Sequence, residues 1–285
     1  MQRRPHPVSP TLSGNALLNH GPGHRPAAPR LITDNDTLRS SWHDLKAGDL
    51  VIGRLRLAPT EEYLLLDLVE RGVRLFPTAL AQQLSRSKTC QAQLLAAFMP
   101  PDTVAIHDLH GLLAAMNRFG AAGVTRVVTK HDRKNAGLGV HLWPSIEEVF
   151  NLCSCGSLAL PLVVQPFFPG ASDIRVIVLG EYREAYQRHN PNNFRHNLHC
   201  GGTSQPCALT PAQQNLCEQV MARGKFPYAH IDLMVTETGA TYLTEINLRG
   251  GIRGARLTAE QYREMVTAIH EQARRTKVTT TLNPR

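Results

Sequence analysis

The chain has 285 residues, 42% of them apolar, and 31 Lys and Arg against 23 Asp and Glu. That length buries a sizeable core as one large domain or a small domain beside a larger one; no apolar run reaches the roughly 20 residues that span a bilayer, and no apolar stretch follows Arg3 and Arg4 as in a secretory signal. The expectation is a soluble cytoplasmic protein whose net charge of +8 attracts anions, although part of the excess sits in the first thirty residues, at Arg3, Arg4, Arg25 and Arg30.

Residues 1–30 are rich in Pro, Gly, His, Asn and Ser without apolar periodicity, and read as a disordered tail. Residues 31–85 read as a small α/β unit. Asp49 to Gly53 forms a buried strand, and Thr60 to Arg71 a helix with a broad apolar face of Tyr63, Leu64, Leu66, Leu68 and Val69. Gly72 closes the helix and Val73 to Phe76 follows as a strand, an order that predicts a parallel crossover.

Helices follow at Ser87–Phe98 and Leu109–Phe119, with a short strand, Val104 to His107, between them. Val124 to Lys130 is a strand running into a polar, glycine-containing loop at 131–139. Ser145 starts a helix with Glu148 three residues on, the spacing of a capping box, and Ile146, Val149, Phe150 and Cys153 recur at helical period. Leu160 to Gln165 is a strand that Pro166 to Gly170 cannot continue. Strands at Asp173–Leu179 and Tyr182–Arg188 form a hairpin over Gly180-Glu181. Thr210 caps a helix that has Pro211 at its first position and ends at Gly224. Strands at Ala229–Val235 and Thr241–Asn247 make a second hairpin. A last helix spans 259–275, and 276–285 is left as a tail.

The second hairpin carries the most chemistry. Strand alternation puts Leu243, Glu245 and Asn247 on one face, and a short turn sets Asp232 across from Glu245. Two carboxylates and an amide oxygen are hard donors that suit Mg²⁺ arriving with nucleotide phosphates. The plain alternative is a solvated hairpin face. Lys130 ends an apolar strand before Gly137 and Gly139, where a lysine and open backbone N–H groups can reach phosphate; no Walker loop and no dinucleotide fingerprint is present. Arg188, Arg195 and Asn197 belong to a polar segment that is either a surface loop or an anion grip. Six cysteines make no paired zinc spacing and read as free thiols.

Taken in order, Val127 to Lys130 with Gly137 to Val140, Val163 to Phe168, Asp173 to Gly180, Arg188, Phe194 to Gly202, and His230 to Val235 with Tyr242 to Gly251 resemble the ATP-grasp superfamily. The likeness is to its glutathione-synthetase-like, RimK-like carboxylate–amine ligases. The resemblance implies an α/β (α+β) ATP-grasp fold over 86–275, two α+β subdomains clamping ATP, behind the small parallel α/β unit. It implies Lys130, and more weakly Lys88, on the phosphates under the loop that holds Gly137 and Gly139. Gln165, Pro166 and Phe167 would lie along the adenine edge, with the Phe167 N–H donating to the base, and Asp173 on the ribose. Arg195 and Asn197 would lie near the phosphates, and Asp232, Glu245 and Asn247 would hold Mg²⁺ or Mn²⁺, two ions in all. Arg188 would steady the transferred phosphoryl group.

This chain departs from the family pattern at Pro166 and after Asn247, where Arg249 and Arg253 stand. Those arginines point to a small molecule or peptide bearing more than one carboxylate. The implied reaction is ATP-dependent amide formation through an acyl phosphate. A kinase of the same superfamily, with His189, His196 and His199 near its phosphates, is the second reading. A non-enzymatic nucleotide or RNA binder is the third, and it lacks an aromatic platform or basic helix. No membrane partner is expected, and self-association stays open.

Overall fold

The computed structural model describes residues 28–134 and 137–282. The residues read as an N-terminal tail fall largely outside that range, as does Asn135 of the glycine-containing loop.

The first unit is a parallel three-stranded sheet. β1 (Leu31–Ile32), α1 (Asn35–Ser41), β2 (Leu50–Ile52), α2 (Tyr63–Glu70) and β3 (Arg74–Phe76) follow one another, and the strands lie in the order β1-β2-β3. The β2-α2-β3 passage is the parallel crossover expected from the sequence. α2 buries a narrower face than its composition suggests. Leu65 and Leu68 are buried, whereas Tyr63, Leu66 and Val69 face water. Six apolar residues in the seven positions 63–69 leave the helical phase ambiguous, and only contact with the sheet resolves it.

α3 (Ala79–Leu84) and α4 (Lys88–Leu94) lead into the second sheet, and α3 has no clear periodic signal of its own. β4 (Val104–Ile106), α5 (Leu109–Ala121), β5 (Val127–His131), β6 (Val140–Trp143), α6 (Ile146–Ser154) and β7 (Leu162–Pro166) build a four-stranded antiparallel sheet, ordered β4-β7-β5-β6. α5 and α6 cover one face, burying Leu112, Phe119, Ile146 and Val149. At the head of α6 only half the expected box forms: the Ser145 hydroxyl accepts from the Glu148 N–H. The strand at 162 continues through Pro166, beyond the predicted stop, because Val164 is the last residue β4 pairs with. Past that point one edge of β7 is free, and a residue without an N–H is tolerated.

The third sheet is antiparallel and five-stranded. Its strands are β8 (Ser172–Leu179), β9 (Tyr182–His189), β10 (Thr203–Pro206), β11 (Tyr228–Val235) and β12 (Thr241–Asn247), in the order β10-β9-β8-β11-β12. α7 (Pro211–Gly224) starts with the full Thr210–Gln213 capping box. α8 (Ala259–Leu282) runs past the predicted end at Arg275 and lays Tyr262, Met265, Val266 and Ile269 on the largest core. The six cysteines are free thiols. Among the described residues, no helix is long and apolar enough to cross a membrane.

Candidate active site

A cleft of about 1320 Å³ lies between the four-stranded and five-stranded sheets. Its walls gather Lys88, Lys130, Gly137, Gln165, Phe167, Asp173, Arg188, Arg195, Asn197, Asp232, Glu245, Asn247, Arg249 and Arg253. Residues far apart in the chain thus converge because β5, β7, β8, β9, β11 and β12 all present side chains or ends to one space. Gly139 and Pro166 are not part of the wall. Gly139 serves packing: a Cβ there would lie 2.5 Å from the Lys134 Cβ and 3.0 Å from that of His131. Only glycine lets the β5–β6 hairpin close.

The two lysines reach across the cleft. Ser87 caps α4, while Asp132 at the end of β5 accepts from the Thr89 N–H at 3.1 Å and from the Ser87 hydroxyl. This clamp fixes buried Lys88, whose Nζ donates to the Lys134 carbonyl at 2.6 Å and to Glu245 Oε1 at 3.2 Å. Lys130 Nζ donates to the Thr244 carbonyl at 3.2 Å. Burial lowers the Lys130 pKa to about 8, against the opposing pull of Glu245. An ammonium binds phosphate and an amine does not, so ATP affinity is expected to hold below about pH 8 and weaken above it. The Lys130→Met variant should bind weakly with no such inflection; titration calorimetry from pH 6.5 to 9.5 checks this, and an unchanged inflection in the variant contradicts it.

Asp232 pairs with Glu245 in register, as the hairpin spacing predicted. The face assignment around them needs correction. A bulge lies between the Asp232–Glu245 and Leu233–Leu243 pairs, with Thr244 as the extra residue. Leu243 and Ile246 are both fully buried in the core, while Glu245 and Asn247 line the cleft, so Leu243 does not share their face. β12 is an edge strand, and Gln91 completes it. Its side-chain amide accepts from the Ile246 N–H at 3.0 Å and donates to the Ile246 carbonyl at 2.9 Å. That pair holds Glu245 and Asn247 on either side of a fixed point.

Behind the hairpin lies a buried network of two acids and two arginines. Register sets Asp232 opposite Arg175 and Asp173 opposite Arg188. Arg175 grips Asp232 with two N–H groups, the Nη2 contact being 2.9 Å. Arg188 donates to both Asp173 oxygens, at 2.5 and 2.9 Å, and lies 3.2 Å from Asp232. Burial opposes ionisation of Asp232, yet Arg175 and Arg188 hold its carboxyl well below the usual carboxylate range. Burial pushes Asp173 upward despite Arg188. Sequence reading missed Arg175. Its signal was available: it stands two residues after Asp173 on the same strand face.

Several expected roles meet prior commitments. The Phe167 N–H, which the resemblance has donating to the base, here donates to the Arg126 carbonyl at 2.9 Å and extends the β5–β7 pairing. Asp173 and Arg188 hold each other instead of standing open to ribose and phosphate. Arg195 bonds the Val140 carbonyl at 2.7 Å, bracing its loop against β6. Asn197 lies beside Gly137.

Other features fit a nucleotide and a cation. Gln165 is buried in the cleft wall with its Oε1 unpaired, an acceptor matched to an exocyclic amino group. Among the described residues no three His, Cys, Asp or Glu side chains cluster for a metal. The Glu245 carboxylate and the Asn247 amide, which donates to it at 2.9 Å, form a hard-oxygen pair. Asp232 uses three of its roughly four lone-pair sites on arginines, leaving one for a cation.

Comparison with known proteins agrees with this architecture. The chain is 28% identical over 190 residues to a probable alpha-L-glutamate ligase of Trichodesmium erythraeum, covering 64% of this chain and 62% of that protein. It therefore spans about three fifths of the length of this relative. D-cycloserine synthetase superposes with a TM-score of 0.55 at 18% identity, over 78% of this chain and 83% of that one. A peptide-associated ATP-grasp ligase of Chryseobacterium gregarium, solved with ADP and a leader and core peptide, gives 0.53 at 16% identity, over 77% and 74%. Both likenesses are of fold. The family model for the RimK-like ATP-grasp domain matches residues 86–269, and the chain belongs to that family.

Proposed function

We propose that the chain is an ATP- and Mg²⁺-dependent carboxylate–amine ligase that forms an amide through an acyl phosphate. The observation that carries this reading is the meeting of Lys88 and Lys130 with Glu245 in one cleft of a RimK-like domain. Bound there, ATP supplies the phosphoryl group that turns a poor electrophile, a carboxylate, into an activated acyl group. Lys88 and Lys130 would hold its phosphates, and Gln165 the base. Glu245 and Asn247 would hold Mg²⁺, with Asp232 as a third oxygen donor. Through its ion pairs Asp232 also sets the positions of Arg175 and Arg188, which would contribute positive charge at the cleft wall. Positioning and charge neutralisation do most of the work in such a transfer.

The relatives' names support a peptide or amino-acid substrate, and Arg249 and Arg253 on the cleft wall support an acidic one. Incubation with ATP, Mg²⁺ and a pool of amino acids and peptides should yield ADP, phosphate and a product whose mass equals its two parts less water. A stable phosphoester among the products would mean a kinase, and unconsumed ATP would mean a binder.

A further inference from the structure

The family match starts at residue 86, so the parallel three-stranded unit lies ahead of it. One side chain of that unit nevertheless reaches the turn between β5 and β6. Glu62, at the head of α2, meets Arg133, two residues beyond the end of β5. Arg133 Nη1 donates to one carboxylate oxygen and Nη2 to the other at 2.8 Å, the paired geometry that fixes direction as well as distance. Gln83 on α3 donates to the same carboxylate at 2.8 Å. Burial opposes ionisation of Glu62, yet the Arg133 and Gln83 bonds hold its carboxyl below the usual carboxylate value.

Arg133 has a φ of +62°, in the left-handed region that residues with a side chain normally avoid. Such a conformation persists where the surroundings over-determine it, and the Glu62 fork supplies that hold from outside the turn. Three consecutive residues of the turn are held by three different partners. Asp132 accepts from the Ser87 hydroxyl and the Thr89 N–H of α4, and lies 3.3 Å from Arg133 Nε. Arg133 is gripped from α2. Lys134 gives its carbonyl to Lys88 Nζ. Lys88 stands between Ser87 and Thr89, so the tie from Glu62 reaches it twice: through Asp132 to the helix that carries it, and through Lys134 to the carbonyl that orients it. Neither Glu62 nor Arg133 lies in the wall of the cleft between the two sheets.

We propose that Glu62 and Arg133 are positioning residues for ATP binding. The parallel unit sets Lys88 and the start of the glycine-containing loop through this ion pair, and neither side chain touches the nucleotide. The proposal rests on the ligase reading for its ligand.

Calorimetry with Mg²⁺ and ATP on the full chain compares the wild type with Glu62→Gln, Arg133→Gln and the double variant. Each single change is expected to weaken ATP binding about fivefold to tenfold, near the worth of one charge-assisted contact. The double change should weaken it no further, since both cut the same tie. Arg133→Gly separates positioning from stability. Glycine takes the left-handed turn freely, so this variant should melt near the wild type yet bind ATP as weakly as Glu62→Gln. Hydrogen exchange gives a second readout. The His131 and Val140 amides, which donate to the Gly139 and Gly137 carbonyls, should exchange faster in every variant, while the amides of β8 and β11 keep their wild-type rates. Additive losses in the double variant would make Arg133 a direct phosphate ligand and overturn the proposal. Unchanged exchange at His131 and Val140 would overturn it too. A wild type that binds no ATP removes the ligase reading and this one together; variants that match an ATP-binding wild type remove this one alone.

Discussion

Replacing Glu245 by alanine is expected to lower turnover about a hundredfold to a thousandfold while the protein stays folded. Glu245 is the acid of the hairpin that no arginine occupies, and its partners are Lys88 at 3.2 Å and the Asn247 amide at 2.9 Å. On the proposed reading Glu245 holds the cation that neutralises charge on the moving phosphoryl, and losing one such electrostatic partner costs about this much in comparable sites. The fold should survive because Gln91, not Glu245, holds the strand edge. Lys88 also keeps its bond to the Lys134 carbonyl, so the stability change should stay near about 1 kcal/mol. ADP release with an amino-acid and peptide pool, run beside a thermal melt, measures both. Full turnover in the variant with Mg²⁺ as the only metal removes the cation assignment.

Arg188→Met is expected to cost about 3–5 kcal/mol of stability, the usual loss when one partner of a buried ion pair is deleted. The arginine is 6% exposed and lies between Asp173 and Asp232. Asp232 keeps Arg175, but Asp173 loses its ion-pair partner. The pH dependence has a definite sign. In the wild type the depressed Asp232 pKa contributes stability above about pH 4, the unfolded value, and that contribution is lost as pH falls toward the folded one. Burial already raises Asp173. Without Arg188 it rises further, and a raised carboxyl favours the fold below its unfolded pKa and loses that advantage as pH climbs through the folded one. Urea unfolding should therefore show a larger deficit at pH 8 than at pH 5. A deficit under about 1 kcal/mol at both values would show the network to be energetically idle.

The long antiparallel strands were legible because β8, β9 and β11 combine buried runs with alternation, and Gly180 and Gly239 mark their turns. The facing of Asp232 and Glu245 followed from hairpin spacing. The bulge at Thr244 did not, because a two-residue period has no means of announcing an inserted residue. Short strands escaped for a different reason: β6 and β10 have four residues each and no fully buried one among them. They form because β5 and β9 offer open edges, a tertiary cause invisible in local sequence. The network around Asp232 needed the pairing of β11 with β8, a contact between segments 57 residues apart.

Lys88 and Lys130 already hold the carbonyls of Lys134 and Thr244, and through them join one jaw of the cleft to the other. On the proposed reading a triphosphate would enter by substitution, its oxygens taking over donors that peptide groups now occupy. Its net affinity would be an exchange energy, smaller than the sum of the new bonds, and freeing those carbonyls would loosen the clasp between jaws at the moment the phosphates replace it.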